Sequence, residues 1–337
     1  QQTAEMIGAE ADEIIFTSGA TEANNTAIKG VARFYAEHRN HIITCVTEHM
    51  CVLDSAFQLE KEGFNVTYLH VDSDGLLNLN ELRDAITDQT ILVSIMTVQN
   101  EIGTIQPMLE IGAICRERKV FLHTDAAQAI GKIPIDVKEM KIDLLSLTAH
   151  KIYGPMGIGA IYVGKRPHVR LVPMFNGGGQ EKGLRSGTLP PALCVGLGHA
   201  LKIAKEEMSM EAILLKSQRD HIWRHLVGEL SGLHLNGSFD QRVPGNLNIS
   251  VEGVDAETLI AVLPDLALSS GSACTSASEE SSHVLKAIGL SNELADASLR
   301  IGLGRFNTDE EVGFAADRLI EAITEVRSSS RSIAAAE

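Results

Sequence analysis

Between Glu13 and Gly164 the chain alternates short, almost uninterrupted apolar runs with longer stretches whose apolar residues recur at helical spacing. The runs are "EIIFTSG", "HIITCV", "NVTYLHV", "ILVSIMTV", "VFLHTDA", "DLLSLTA" and "GAIYVG". β-Branched strands that are apolar on both faces and separated by amphipathic helices predict a largely parallel sheet covered on both sides. Such sheets gather ligands outside the carboxyl ends of their strands. Polar clusters fall at five of those ends, as "TSGATEANN", "TEHM", "QNEIG", "HTDAAQA" and "TAHK". The pattern therefore aims chemistry at one rim of an α/β sheet.

From Leu193 to Leu230 the spacing predicts one long helix. The short runs "LHLNG" and "GNLNISVEG", a helix over Ala256 to Leu263, the run "SLRIGLGRF" and a closing helix follow. A capping box, Thr308 with Glu311 in "TDEE", opens that last helix. Residues 1–205 are expected to form a large domain and residues 206–337 a smaller α+β domain. There is no internal repeat, low-complexity tract or Pro-rich linker.

Composition narrows the function class. A chain of 337 residues suits about two domains, and no apolar run approaches the roughly 20 residues of a membrane span. Acidic residues outnumber basic ones 44 to 29, for a formal charge of -15. With its Lys and Arg scattered, the chain has no footprint for nucleic acid. The five cysteines, Cys45, Cys51, Cys115, Cys194 and Cys274, form no CxxC pair and no zinc spacing. A reducing compartment is expected, hence the cytoplasm, or the mitochondrial matrix if a targeting segment precedes this chain. The opening "QQTAEMIGAEADEIIF" has neither initiator Met nor the basic start and apolar centre of a signal peptide. A truncated N-terminus is the expectation.

Lys151, in "TAHKIYGPMGIGA", stands between an apolar strand and a glycine-rich turn. A lysine desolvated in a strand-end cleft has a lowered pKa and can form a Schiff base. Alone it reads as a surface lysine. Asp125 in "HTDAAQA" changes that, because a carboxylate at a neighbouring strand end is the partner a protonated pyridine nitrogen needs. The pair suggests pyridoxal phosphate. "TSGATE" places Ala20 and Thr21 where a strand enters a helix, so backbone amides, helix dipole and hydroxyl can converge on a phosphate. Thr148 and His150 can add a hydroxyl and an imidazole. "GPMGIG" lacks the G-x-G-x-x-G spacing and precedes a strand, which rules out a dinucleotide loop. His49 can stack on a flat cofactor and shuttle protons, or be structural. Asn100 and Gln128 suit a ring oxygen, or cap loops. Cys274, in "SSGSACTSAS", departs from the buried, inert thiol expected of Cys45, Cys115 and Cys194. Arg300, among apolar neighbours in "SLRIGLGRF", suits a substrate carboxylate or a surface ion pair.

Taken in order, "FTSGATEANN", "TEHMCVLDS", "QNEIG", "HTDAAQAIGKIPIDV", "AHKIYGPMGIGA", "GGGQEKGLRSGT", "SSGSACTSAS" and "LRIGLGRF" resemble the cysteine desulfurases of iron-sulfur cluster assembly over nearly the whole chain. The resemblance implies a fold-type I homodimer that uses pyridoxal 5'-phosphate to convert L-cysteine to L-alanine and passes the sulfur on as an enzyme persulfide. It implies Lys151 as the cofactor's lysine, Asp125 at the pyridine nitrogen and His49 on the ring. Asn100 and Gln128 fall beside the phenolic oxygen, with Asn100 also near substrate. Ala20, Thr21, Thr148 and His150 fall at the phosphate, and Thr188 reaches the phosphate of a second subunit. Arg300 falls at the substrate carboxylate. Cys274 becomes the sulfur acceptor and a contact for a nascent cluster, with no resident metal, and a scaffold protein becomes a partner. Departures are Thr148–Ala149 where Ser-Gly is usual, Met50 and Met156 where lysine is common, and "SASEESS" after the cysteine. A selenocysteine lyase or class V aminotransferase would share Lys151 and Asp125, and a catalytically silent assembly scaffold would share only the fold. The cysteine loop and the intact Lys151 and Asp125 favour the desulfurase.

Overall fold

A computed structural model describes residues 1–165, 167–270 and 281–334, with side chains as far as 329. Cys274 lies outside the described residues. The chain divides into two compact units, the first made of Gln1–Val71, Leu77–Asn100 and Ile105–Met208 and the second of the remainder.

The seven apolar runs form the seven strands of the first unit: β1 (Ile14–Thr17), β2 (His41–Cys45), β3 (Asn65–Leu69), β4 (Thr90–Ser94), β5 (Phe121–Asp125), β6 (Leu144–Thr148) and β7 (Gly159–Val163). They pair in the order β1-β7-β6-β5-β4-β2-β3. Neighbours from β6 to β3 are parallel, while β7 is antiparallel to both β6 and β1. Six strands thus point one way, and the ends of β1, β2, β4, β5 and β6 share one rim. The antiparallel β7 brings Gly159 opposite both Thr17 and Thr148. A side chain at Gly159 would collide with Leu147 O and stand 2.7 Å from Gly19 Cα, so glycine is what lets the turn after β1 close onto β6.

The helix after β1, α1 (Ala20–Tyr35), buries Ala23, Ala27, Ile28, Val31 and Ala32. Their i, i+4 spacing presents one apolar stripe to Ile15, Ile42, Leu92, Leu144 and Ile161 of the sheet. This packing fixes where the first turn of α1 meets the rim. α2 (Met50–Lys61) follows β2 in the same way.

β5 is central and carries a buried histidine. His123 Nδ1 lies 2.8 Å from Ser94 Oγ and Nε2 3.0 Å from Ser146 Oγ. A neutral ring satisfies both serines, and burial pulls its pKa down to about 3. The unfolded chain takes up this proton near 6.5, so stability present above that pH is lost as pH falls toward 3. Urea midpoints should show a loss of about 2 kcal/mol between pH 7 and pH 5 from this residue. His123→Gln should remove that share of the pH dependence; an unchanged slope would mean His123 protonates freely in the fold.

The second unit centres on a four-stranded antiparallel sheet, β8 (Leu233–Leu235), β9 (Asn246–Val251), β10 (Ser269–Ser270) and β11 (Ser298–Gly302), in the order β10-β11-β9-β8. Its core joins Leu247, Ile249, Val251, Leu299 and Ile301 to Val312, Ala316, Leu319 and Ile323 of the closing helix Asp309–Ala334. The capping box opens that helix, with Thr308 N donating to Glu311 Oε2 at 2.9 Å and Glu311 N to Thr308 Oγ1 at 3.2 Å. The long helix Pro191–Glu229 carries the boundary between the units. Among the described residues no helix is long and apolar enough to cross a membrane.

Candidate active site

Three turns converge at the rim of the first unit. At the end of β1, α1 starts at Ala20 without a side-chain cap on its N-cap residue, Gly19. Its first-turn amides are therefore open as anion donors, and beside them stands Thr21, exposed overall, with its hydroxyl in hydrogen-bond reach of the Cys51 thiol. At the end of β6 the chain makes one tight turn, Ala149–Lys151, closed by Ile152 N and Gly154 N donating to Ala149 O at 3.0 Å each. Tyr153, directly beyond, takes a left-handed φ of 63°, uncommon for a residue with a side chain. Thr148 Oγ1 is buried 2.9 Å from His150 Nδ1, which joins the hydroxyl and the imidazole as one pair. Desolvation, and then the Lys151 charge, hold His150 below 6.5, favouring the neutral ring. Lys151 itself is exposed. The desolvation expected of it is therefore not supplied by the chain alone.

At the end of β5, Asp125 is 4% exposed. Its Oδ1 accepts from Ala127 N at 2.8 Å and its Oδ2 from Asn24 Nδ2 at 2.6 Å. Burial pushes this carboxyl above its ordinary range, against the pull of those two donors and of His49. A buried carboxyl in that state gains most from a cation brought against it. Beneath it, Glu48 is fully buried and accepts from Met96 N at 2.6 Å. Burial, together with the Asp125 charge, drives Glu48 well above 4.5, toward the protonated acid.

His49 caps α2. Its Nδ1 accepts from Cys51 N at 3.2 Å and lies 3.1 Å from Cys51 Sγ. In the neutral ring this places the proton on Nε2. Gln128 Oε1 accepts from Lys132 Nζ at 2.7 Å, which leaves the amide nitrogen as the donating end. Asn100 Oδ1 accepts from Gln99 Nε2 at 3.4 Å, and the same Gln99 nitrogen donates to Thr47 O at 3.1 Å, tying the turn after β4 to the turn after β2. Thr188 is exposed and makes no hydrogen bond to these groups among the described residues.

Arg300 belongs to the second unit. On β11 its Nε donates to Ser269 Oγ at 3.1 Å. In the same unit Glu101 is buried and accepts from Ser282 Oγ at 2.5 Å; burial pushes its carboxyl up to about 7, opposed by Ser282 and the Arg300 charge. Glu101, Glu48, Asn24 and Cys51 were not among the sequence candidates. The one pointer to Asn24 is its place three residues after Thr21, one helical turn on the same face.

The aminotransferase class-V family model matches residues 1–314. A cysteine desulfurase IscS of Ehrlichia chaffeensis is 56% identical over 97% of this chain and 80% of its own length. The chain belongs to the class-V aminotransferases, among the cysteine desulfurases. A cysteine desulfurase IscS of Rickettsia bellii is 55% identical over 96% of this chain and 79% of its own. Among solved structures, a NifS-like protein superposes with a TM-score of 0.88 at 35% identity, covering 96% of this chain and 86% of that one. SspA in complex with cysteine superposes at 0.80 with 40% identity, covering 91% and 86%. Members of this family depend on pyridoxal phosphate, and the rim suits that group. The carboxyl that burial leaves wanting a cation would suit the ring nitrogen, and the uncapped helix start with the Thr148–His150 pair would suit the phosphate.

Proposed function

We propose that the chain is a pyridoxal-phosphate-dependent cysteine desulfurase that converts L-cysteine to L-alanine and keeps the sulfur as a persulfide on Cys274 for iron-sulfur cluster assembly and related sulfur transfer. The observation that carries this reading is Asp125, buried at the end of β5 with one strong donor on each oxygen, on the same rim as the Lys151 turn.

Ala20, Thr21, Thr148 and His150 would hold the cofactor's phosphate, Asp125 its ring nitrogen, Gln128 and Asn100 the oxygen side of the ring, and Lys151 its aldehyde carbon. When bound, the cofactor supplies an electron sink that loosens the substrate's α-hydrogen and its carbon–sulfur bond. Lys151 Nζ would carry the proton from the α-carbon. His49 would lie against the ring and offer its Nε2 proton. Arg300 takes the substrate carboxylate in a two-pronged grip. The Cys274 thiolate attacks the substrate sulfur, so a sulfur–sulfur bond forms as the carbon–sulfur bond breaks and the pair left on carbon is protonated to give alanine.

A homodimer is part of this reading. Thr188 is exposed and free to serve a second copy, and the first unit also exposes Met156, Tyr153, Phe175 and Val195, the first of them at 82%. A scaffold partner and a cytoplasmic site are supported by the names and bacterial sources of the relatives and by four described cysteines that are all free. The test is direct: purified protein with pyridoxal phosphate, L-cysteine and a reductant should release alanine and sulfide in equal amounts. Alanine without sulfide, or neither product, would refute the assignment.

A further inference from the structure

Asn24 is a fully buried polar side chain at the rim to which these roles give no work. It sits on α1 one turn beyond Thr21, with no surface exposed. Its Nδ2 has two protons and directs them at two groups of the site, Asp125 Oδ2 at 2.6 Å and Cys51 Sγ at 3.2 Å. Its Oδ1 is buried and finds no hydrogen-bond partner among the described residues. A core position filled for packing alone would be better served by an apolar side chain, because an unmet buried amide oxygen is destabilising. The amide is retained at a cost, and the benefit lies at Nδ2.

We infer that Asn24 is a positioning residue, which fixes the Asp125 carboxylate for the cofactor's ring nitrogen and ties it to His49 through Cys51. The inference rests on the reading of Asp125 given above. Ala127 N holds Oδ1 from the chain's own turn, and Asn24 holds Oδ2 from α1, so rotation of the carboxylate is stopped from both sides. Cys51 Sγ, the second acceptor of the same amide, lies 3.1 Å from His49 Nδ1, the atom that Cys51 N already caps. One amide therefore sets the two side chains assigned to the cofactor ring in a common frame. Because α1 also presents Ala20 and Thr21, the helix start and the ring-nitrogen partner are held by one rigid element.

The test is a double-mutant cycle on cofactor affinity, read by titrating pyridoxal phosphate into the apo-protein. Asn24→Leu, close in volume and without the amide, should weaken binding by about tenfold, while the apo-protein melts within a few degrees of the parent. In an Asp125→Asn background the same change should cost less than about twofold, since the carboxylate it positions is gone. If Asn24→Leu does not fold, Asn24→Ala carries the cycle, as it asks the core for no new volume. Parent-like affinity in the Asn24 variants, or an equal loss in both backgrounds, would overturn the inference alone and leave a purely structural amide. Parent-like affinity in Asp125→Asn by itself would instead overturn the assignment of Asp125 on which it stands.

Discussion

Replacing Lys151 by alanine is expected to lower alanine production from L-cysteine by at least about a thousandfold, because the change removes both the amine that holds the cofactor and the base that moves the α-proton. Pyridoxal phosphate should still bind, more weakly. The uncapped start of α1 at Ala20 and Thr21, the Thr148–His150 pair 2.9 Å apart and the buried Asp125 are all untouched by the substitution. The turn should survive too, since Ile152 N and Gly154 N close it on Ala149 O rather than on the lysine side chain. The measurement pairs an alanine assay with equilibrium dialysis of the cofactor. Parent-like turnover would show that another amine does the work. Complete loss of cofactor binding would show that the phosphate and ring contacts read from the rim contribute too little to stand alone.

Much of this arrangement was legible in the sequence, for a physical reason. Strands buried on both faces are apolar except where a polar side chain is paired inside the sheet, as Ser94 and Ser146 are with His123, and unpaired polar groups are tolerated past the strand ends; β2, β4 and β6 are buried at every position, and the turns beyond them carry His49, Asn100 and Lys151. What the pattern could not give is order and direction. Nothing in "GAIYVG" says that β7 runs against its neighbours, yet that reversal is what sets Gly159 between Thr17 and Thr148. Nor does local composition reveal that Asp72–Leu76 and Glu101–Thr104 belong with the second unit, because they are held there by partners such as Asn246 Nδ2, which donates to Glu101 O at 3.0 Å across 145 residues. Asn24 was missed for a related reason. In "TEANN" it reads as one of two solvent-facing helix amides, and only the tertiary fold, which buries it against Asp125 while Asn25 stays near the surface, separates the two. Lys151 is the opposite case: its position was readable and its exposure was not, since solvation depends on what covers a turn rather than on the turn itself.

The second large effect concerns Cys274, which the described residues do not reach and whose assignment rests on its sequence loop, with support from the company the other thiols keep. Burial pushes Cys51 and Cys115 up to about 12 and Cys45 up to about 11, and it raises Cys194 as well. A free thiol is a few per cent thiolate at neutral pH, and a shift of two to three units leaves those buried groups with about a hundredfold to a thousandfold less. None of the three most shifted is fitted to attack sulfur. If Cys274 is the acceptor, Cys274→Ser should keep its pyridoxal phosphate, because no residue of the phosphate and ring contacts is changed, and should still lose nearly all alanine and sulfide release, since a hydroxyl is a poor nucleophile toward sulfur near neutral pH. The parent protein treated with L-cysteine and no reductant should gain the mass of one sulfur atom on the peptide containing Cys274 and on no other. Persulfide found on Cys45, Cys51, Cys115 or Cys194 would move the acceptor and would mean that substrate binding opens a thiol now held in its protonated form. Full alanine output from the serine variant would remove sulfur transfer to an enzyme thiol from the mechanism and leave a lyase that releases sulfide directly.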